Sequence, residues 1–319
     1  MLVFQLTLGG LMIMFMDEVI SKWGFGSGIS LFIAAGVSQH LFIRLLSPLR
    51  EERAASAFVG VLPDLFRALA DGDVATALLH ISSIAATALI FAVVVYTQAM
   101  KVEIPLSFGR VRGHGVRWPL NFFYTSNIPV ILVAALIANV QLFARLLQGW
   151  LGHGTFLGEF SDSGTPIGGL AALLFNPNLL RNIIVGGVSN VSATLFFQAI
   201  LYVFLFAAGS VLFSWFWVQT SGLDARSQAK QMLASGLQIP GFRKDPRVLE
   251  RMLERYITPL TVMGGLAVGL LAASADLLGA LTSGTGLLLT IMIVYRLYEE
   301  VAQQHVMDMN PMLRKFMGK

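Results

Sequence analysis

The tripeptide Gly187-Val188-Ser189 has the pattern of a nucleophilic serine in an intramembrane serine protease. A serine hydroxyl attacks a peptide bond only when a general base lies within hydrogen-bond reach. The chain has no cysteine, and its histidines fall at helix ends or in loops: His40, His80, His114, His153 and His305. The sequence therefore favours a turn leading into a helix over a protease site at Ser189.

Charged residues inside apolar stretches would indicate a small-molecule transporter or a proton relay, because a charge within a membrane is costly. Asp17 and Glu18 lie at one end of the first apolar stretch, and Asp276 lies near the end of another, so none is clearly at mid-membrane. The only hint of the broken helices that transporters use is Pro129. The lack of charges at mid-membrane argues against a secondary transporter, and Pro129 keeps it as the alternative. The polar residues at mid-stretch are neutral and more often bond one helix to another than bind a ligand: Asn139, Gln141 and Gln198.

The elements that must position any site are membrane helices. Of the 319 residues, 55% are hydrophobic and 13% are charged, whereas a soluble domain has roughly 25% charged residues. The mean hydropathy is +0.72. The fold class is therefore an all-α polytopic membrane protein, and its first apolar stretch reads as a helix cut off at its beginning. Seven stretches approach or reach the ~20 residues of a spanning helix: 2–19, 27–46, 79–100, 120–145, 190–220, 257–280 and 284–304.

The Lys and Arg residues divide unequally between the two sides of these helices. Sixteen of the 22 lie on the side that holds residues 101–119, 222–256 and the C-terminal tail. Because positive loops mark the cytosolic side, the C-terminus is expected in the cytosol. On the opposite side, residues 62–80 predict either an amphipathic helix on the membrane or a solvated helical linker. The Gly/Ser-rich residues 151–169 predict irregular structure.

The two basic loops on the cytosolic side are long. In the first, Arg110 and Arg112 are two residues apart, so their side chains point the same way on an extended segment. In the second, Asp245 followed by Pro246 predicts the cap and first residue of a helix. The loops fit either a topology signal alone or docking to an acidic surface such as a phosphate backbone. Four-residue spacing places three more arginines on one face of that helix: Arg247, Arg251 and Arg255.

Several long motifs, taken together and in this order, resemble one family. They are GFGSGISLFIAAGVSQ, VEIPLSFGR, SNIPVILVAALIANVQL, TSGLDARSQAK, GFRK, ITPLTVMGGLAVGLLAASADLLGALTSGTGLLLT and YRLYEE. The family is SecY, the protein-conducting channel subunit, in its archaeal form, and the resemblance covers essentially the whole chain. It implies a SecY-like helical bundle in which ten transmembrane helices form two pseudo-symmetric halves. This chain would supply part of the fourth helix and the fifth to tenth, and would lack the N-terminal helices.

On that map, residues 1–46 end the N-terminal half and residues 47–78 form an extracytoplasmic loop. Residues 79–305 form the C-terminal half, and residues 306–319 form a cytosolic tail. The resemblance also implies a ring of aliphatic side chains that constricts the pore. Such a ring blocks ions by dewetting and makes no directional bonds that would hold a passing polypeptide. Its members would be Ile29, Ile33, Ile128, Ile131 and Leu289.

The same resemblance implies roles for polar residues and for partners. Asn139 would lie at the lateral gate, where neutral hydrogen bonds hold two helices together. The partners would be a SecE-like subunit, a small third subunit, the ribosome, signal sequences and nascent polypeptides, within the lipid bilayer of the cell membrane. Such a channel makes no covalent bond and needs no cofactor, so no enzyme is expected. The ribosome would be contacted by Arg110, Arg112, Arg243 and Lys244.

Overall fold

The computed structural model describes residues 1–24, 26–50, 58–108, 115–161, 164–187, 193–235, 237–238 and 245–309. The chain divides into two units, Met1–Asp64 with Gly286–Lys319, and Leu65–Thr285. Six segments in the described ranges contain helix long and apolar enough to cross a membrane: Leu2–Trp23, Gly28–Leu46, Val74–Ala99, Ile128–Leu151, Ala193–Ala234 and Pro246–Leu277. The seventh predicted stretch forms a long helix too, but its second half carries Arg296, Glu299 and Glu300.

In the first unit, α1 (Leu2–Trp23) and α2 (Gly28–Leu46) pack as a helical hairpin. No residue of α1 is buried, so its apolar side chains face outward in every direction. A helix with apolar side chains all round is typical of a membrane span or of a helix covered by other protein. Most of α11 (Gly284–Met309) belongs to this unit as well.

The second unit is built on α4 (Val74–Ala99), α5 (Ile128–Leu151), α8 (Ala193–Thr220) and α10 (Pro246–Leu277). The closest pair is α8 and α10, which approach through small residues. A Cβ atom added to Gly269 would lie 2.9 Å from the Cα atom of Ala207. Membrane helices gain packing energy from such close approach because lipid gives them no hydrophobic drive to associate.

A small sheet and one short helix close one end of this unit. The sheet has the order β2-β1-β5, from β1 (Lys101–Phe108), β2 (Gly115–Asn121) and β5 (Leu237–Gln238), and α9 (Ala225–Ala234) packs beside β5. Both neighbours of β1 run antiparallel to it. The sheet, α9 and the neighbouring ends of α8 and α10 share one apolar core. We call this core the basal cluster, and its buried residues are Ile104, Leu120, Val218, Ala229, Met232, Leu249, Leu253, Ile257 and Leu260.

The helix predicted after Asp245 is confirmed and continues without a break into the membrane span. Asp245 caps α10, and its Oδ1 atom accepts the backbone N–H of Arg247 at 2.9 Å. The first turns are amphipathic, because the arginine face is exposed while Leu249 and Leu253 are buried in the basal cluster. The helix therefore begins eleven residues before the apolar stretch 257–280.

Residues 62–80 divide between two helices. The first, α3 (Val61–Asp71), ends at Gly72, whose φ of 76° suits glycine, and α4 then starts at Val74. Asp73 caps α4 by accepting the backbone N–H of Thr76 at 3.2 Å. The membrane helix therefore starts five residues before the predicted stretch 79–100.

The prediction of irregular structure for residues 151–169 is wrong in part. Strands β3 (Glu159–Phe160) and β4 (Pro166–Gly168) pair, and helices α6 (Gly169–Leu173) and α7 (Leu179–Gly186) follow. The reason is a tether from α5, because the Gln148 amide both accepts the Phe160 N–H at 2.7 Å and donates to its carbonyl at 3.0 Å. Arg145 adds a bond to the Gly164 carbonyl at 2.6 Å and stacks over the Phe160 ring.

Candidate functional site

Two of the predicted ring residues lie in the first two turns of α2. Ile29 and Ile33 are four residues apart and therefore share one face of the helix. Ile29 is 47% exposed and Ile33 is half-buried. The glycines before them permit the turn from α1, because Gly26 has a φ of 71° and Gly28 lies directly against Asp17.

The second pair, Ile128 and Ile131, lies in the first turn of α5. Ser126 adopts a φ of 58° just before the helix, and Pro129 occupies its second position, where its missing N–H costs nothing. Val130 and Val133 are buried on the other face of the helix. Ile131 is 36% exposed and Ile128 is half-buried, so both keep surface available outside the core.

The fifth predicted ring residue, Leu289, lies in α11 and is half-buried. Ile29, Ile33 and Leu289 belong to one unit, and the α5 pair belongs to the other. The assembly of these residues into a ring therefore stays a prediction. The four isoleucines lie in helices long and apolar enough to span a membrane, and Leu289 lies in α11. None of the five side chains is fully buried.

The side-chain amides of Gln198 and Asn139 have different hydrogen-bond partners. Gln198 of α8 donates from Nε2 to the carbonyl of Ala172 in α6 at 2.8 Å, which confirms the predicted helix–helix role for this residue. Asn139 is exposed on α5 and donates to the carbonyl of Ala135 in its own helix at 2.8 Å. One of its two amide N–H donors is therefore used inside α5, and its place at a lateral gate stays a prediction.

The residues predicted to dock the ribosome, Arg110, Arg112, Arg243 and Lys244, lie outside the described residues, as does Ser189. The strands that border the two basic loops are nevertheless part of one sheet, because β1 pairs with β2 and, at Ser107 and Phe108, with β5. The sequence did not predict this pairing. Strands β1 and β2 contribute Ile104 and Leu120 to the basal cluster, and β5 joins them through its pairing with β1.

A hydrogen bond from Tyr124 links the residues before α5 to the segment between α8 and α9, next to the basal cluster. The Tyr124 hydroxyl donates to the carbonyl of Leu223 at 2.6 Å. Burial, with a smaller contribution from the nearby Asp224 carboxylate, raises the pKa of Tyr124 to about 12. The hydroxyl therefore keeps its proton at neutral pH and remains a donor to the chain segment between α8 and α9.

Asp276 forms a junction that sequence analysis missed. Its Oδ1 atom accepts the backbone N–H of Gly284 at 2.6 Å, and its Oδ2 atom accepts the Tyr202 hydroxyl at 2.9 Å. Its carbonyl accepts the side-chain amide of Asn176 at 2.8 Å. One residue thus joins α10 to α8, to the start of α11 and to the segment before α7. The feature of the sequence that could have indicated this junction is a lone carboxylate at the end of an apolar stretch.

Replacing Asp276 with leucine should lower the free energy of unfolding by about 3 kcal/mol, because two partly buried donors lose their acceptor. Tyr202→Phe should cost about half as much, since it removes one of the two bonds. Thermal unfolding in detergent measures both effects. Asp71→Leu, at an exposed carboxylate that ends α3, serves as the control. A loss no larger than that of the control would show that the junction does not stabilise the fold.

The long apolar helices define a multi-spanning membrane protein. The family model named SecY matches residues 1–298. The chain belongs to the SecY family. This is a family of channel subunits and not of enzymes, and the comparisons do not support a small-molecule transporter.

Individual relatives agree along the whole chain. The protein translocase subunit SecY of Pyrococcus horikoshii is 45% identical over 328 residues, which cover 99% of this chain and 68% of the relative. The same subunit of Methanothermobacter thermautotrophicus is 44% identical, with 99% and 68% covered. A solved structure of a protein conducting channel matches with a TM-score of 0.74 and 40% identity over 96% of this chain and 65% of that one. The chain thus spans about two thirds of the length of its relatives.

Proposed function

We propose that this protein is a polypeptide-conducting subunit of a protein translocase. It would pass unfolded secretory chains across the membrane and release apolar segments sideways into lipid. The observation that carries the proposal is 45% identity to a protein translocase subunit over 99% of the chain. That relative is about half as long again as this chain, so the proposal extends the activity of a longer protein to this one.

The proposed constriction consists of Ile29 and Ile33 of α2, Ile128 and Ile131 of α5, and Leu289 of α11. A narrow ring of branched aliphatic side chains repels water and therefore ions. The same ring can yield to a polypeptide because it forms no hydrogen bonds that must be broken. The incomplete burial of all five side chains supports this assignment, since each has surface left to contribute.

The proposed lateral gate includes Asn139 on the exposed face of α5. Interhelical hydrogen bonds in membranes are worth about 0.6–2 kcal/mol. In this chain the amide nitrogen of Asn139 is already bonded to Ala135, so a gate bond through its side-chain oxygen would leave the helix unchanged. A gate held by one such bond would open to an apolar signal sequence at low energetic cost.

The proposed docking surface for the ribosome consists of Arg110, Arg112, Arg243 and Lys244. It is supported by the single sheet to which the strands bordering both loops belong. Arginine and lysine on such a base would attract RNA phosphates in a salt-dependent way. The protein would lie in the cell membrane with its C-terminus in the cytosol, together with a SecE-like subunit and a small third subunit. The outward apolar side chains of α1 would contact lipid or these partners.

A transport assay in inverted membrane vesicles tests this function. Vesicles that contain the protein with its native partners should render an unfolded secretory precursor resistant to added protease, and vesicles depleted of the protein should not. Detergent should restore digestion in both samples. Equal protease sensitivity of the precursor with and without the protein would contradict the proposal.

A further inference from the structure

The turn between α1 and α2 has an acceptor supplied by the neighbouring helix. Asp17 of α1 uses its Oδ1 atom to accept the backbone N–H of Ile29 at 3.0 Å and the hydroxyl of Ser27 at 3.1 Å. Ser27 is the cap residue of α2 but makes no side-chain cap bond to that helix. Since the first N–H groups of a helix have no partner within it, Asp17 takes the place of the missing cap.

The reach of this carboxylate depends on a close approach of the two helix backbones. A Cβ atom on Gly28 would lie 2.8 Å from the Cα atom of Asp17 and 3.1 Å from the Cδ1 atom of Ile20. Only glycine fits there without a shift of one helix. The negative charge of Asp17 also lies at the positive end of the α2 dipole, which favours the contact further.

The bonded N–H belongs to Ile29 itself, the first of the two α2 residues assigned to the constriction. We infer that Asp17 is a positioning residue for the constriction. By capping α2 from α1, it fixes the rotation of α2 about its axis and the position of Ile29 and Ile33 along that axis. The resting pore is thereby kept closed to ions. This inference rests on the proposed function. A carboxylate that is not a member of the ring would thus help the ring to exclude ions.

The test is the resting ion conductance of the assembled channel, with its native partners, in planar bilayers. Asp17→Ala removes the acceptor and should raise the conductance several-fold. Asp17→Asn keeps a side-chain oxygen in the same place and should restore conductance close to that of the unchanged protein. A role for the charge alone, such as a topology signal, would instead make Asp17→Asn behave like Asp17→Ala.

The matched control is Glu18→Ala. Glu18 is the next residue of α1, is exposed and binds the Lys22 ammonium group at 2.6 Å within its own helix. Its replacement removes the same charge from the same turn and should leave the conductance unchanged. Gly28→Ala provides a second route to the expected leak, because it separates α1 from α2 with the Asp17 carboxylate intact.

The outcomes separate this inference from the function on which it rests. If Ile33→Gly with Ile131→Gly leaks while both Asp17→Ala and Gly28→Ala stay closed, the capping role is wrong and the constriction stands. If none of these variants leaks, the constriction itself has been misplaced. Leakage by Asp17→Ala with rescue by Asp17→Asn supports the capping role.

Discussion

Replacing Ile33 and Ile131 together with glycine is expected to raise the resting ion conductance of the channel on the order of tenfold. Each substitution removes a branched side chain from a helix assigned to the constriction, one in α2 and one in α5. A wider, less apolar opening holds water more readily, and ions follow the water. Single-channel recording in planar bilayers measures the effect directly.

The matched control for this leak is the pair Ile81→Gly and Ile200→Gly. These isoleucines lie in α4 and α8 and are 48% and 67% exposed. They therefore lose the same side chain from membrane helices outside the proposed ring. An equal leak from both pairs would show a general loss of helix stability. An unchanged conductance in the Ile33 and Ile131 variant would mean that the constriction lies elsewhere.

Gly269→Leu, at the contact between α8 and α10, is expected to lower the stability of the fold as much as the loss of Asp276 does. The first carbon of any side chain there would lie 2.8 Å from the Ser210 hydroxyl and 2.9 Å from the Ala207 Cα atom. Backbone cannot move away as a flexible side chain can, so the two helices must separate. Overpacking of this kind costs about 3 kcal/mol, and the unfolding temperature in detergent should fall accordingly.

Gly149→Leu is the control for that substitution. Gly149 lies in α5, is exposed, and has no atom within 4 Å of an added Cβ atom. It therefore receives the same leucine without a clash, and the unfolding temperature should not fall. If both variants unfold at the same temperature, the close approach of α8 and α10 contributes nothing measurable to stability.

Local patterns in the sequence predicted the local features of this fold. The apolar stretches gave the membrane helices, because a bilayer requires long apolar segments whose backbone groups are satisfied internally. Asp245 and Pro246 predicted the start of α10, since both the cap and the fixed φ of proline act within one turn. The order of the apolar stretches likewise placed the basic residues 101–119 between two membrane helices, α4 and α5.

Features that depend on distant residues could not be predicted in this way. The order within residues 151–169 comes from Gln148 and Arg145 on the preceding helix. The junction at Asp276 joins residues up to 100 positions apart. The apolar stretch 257–280 marks only the membrane part of α10, because the first turns of this helix bury one face in the basal cluster and carry arginines on the other.

The family resemblance supplied what neither pattern nor local chemistry could. Isoleucines at helical spacing are common in lipid-facing and core positions, so Ile29 and Ile33 have no distinctive signal of their own. The structure adds that Asp17, ten residues before Ser27 and twelve before Ile29, bonds to the turn that begins α2. Aspartate at the end of an apolar stretch gives no indication of such a partner.

The most direct test of the central claim is site-specific photo-crosslinking during transport. A photoreactive amino acid is placed at Ile33, at Ile131 or at the outward-facing Ile200 of the assembled channel, and a secretory chain is arrested part-way across. Adducts with the arrested chain at Ile33 and Ile131, and none at Ile200, are the predicted result. Adducts at Ile200 but not at the other two positions would contradict the assignment of the polypeptide path.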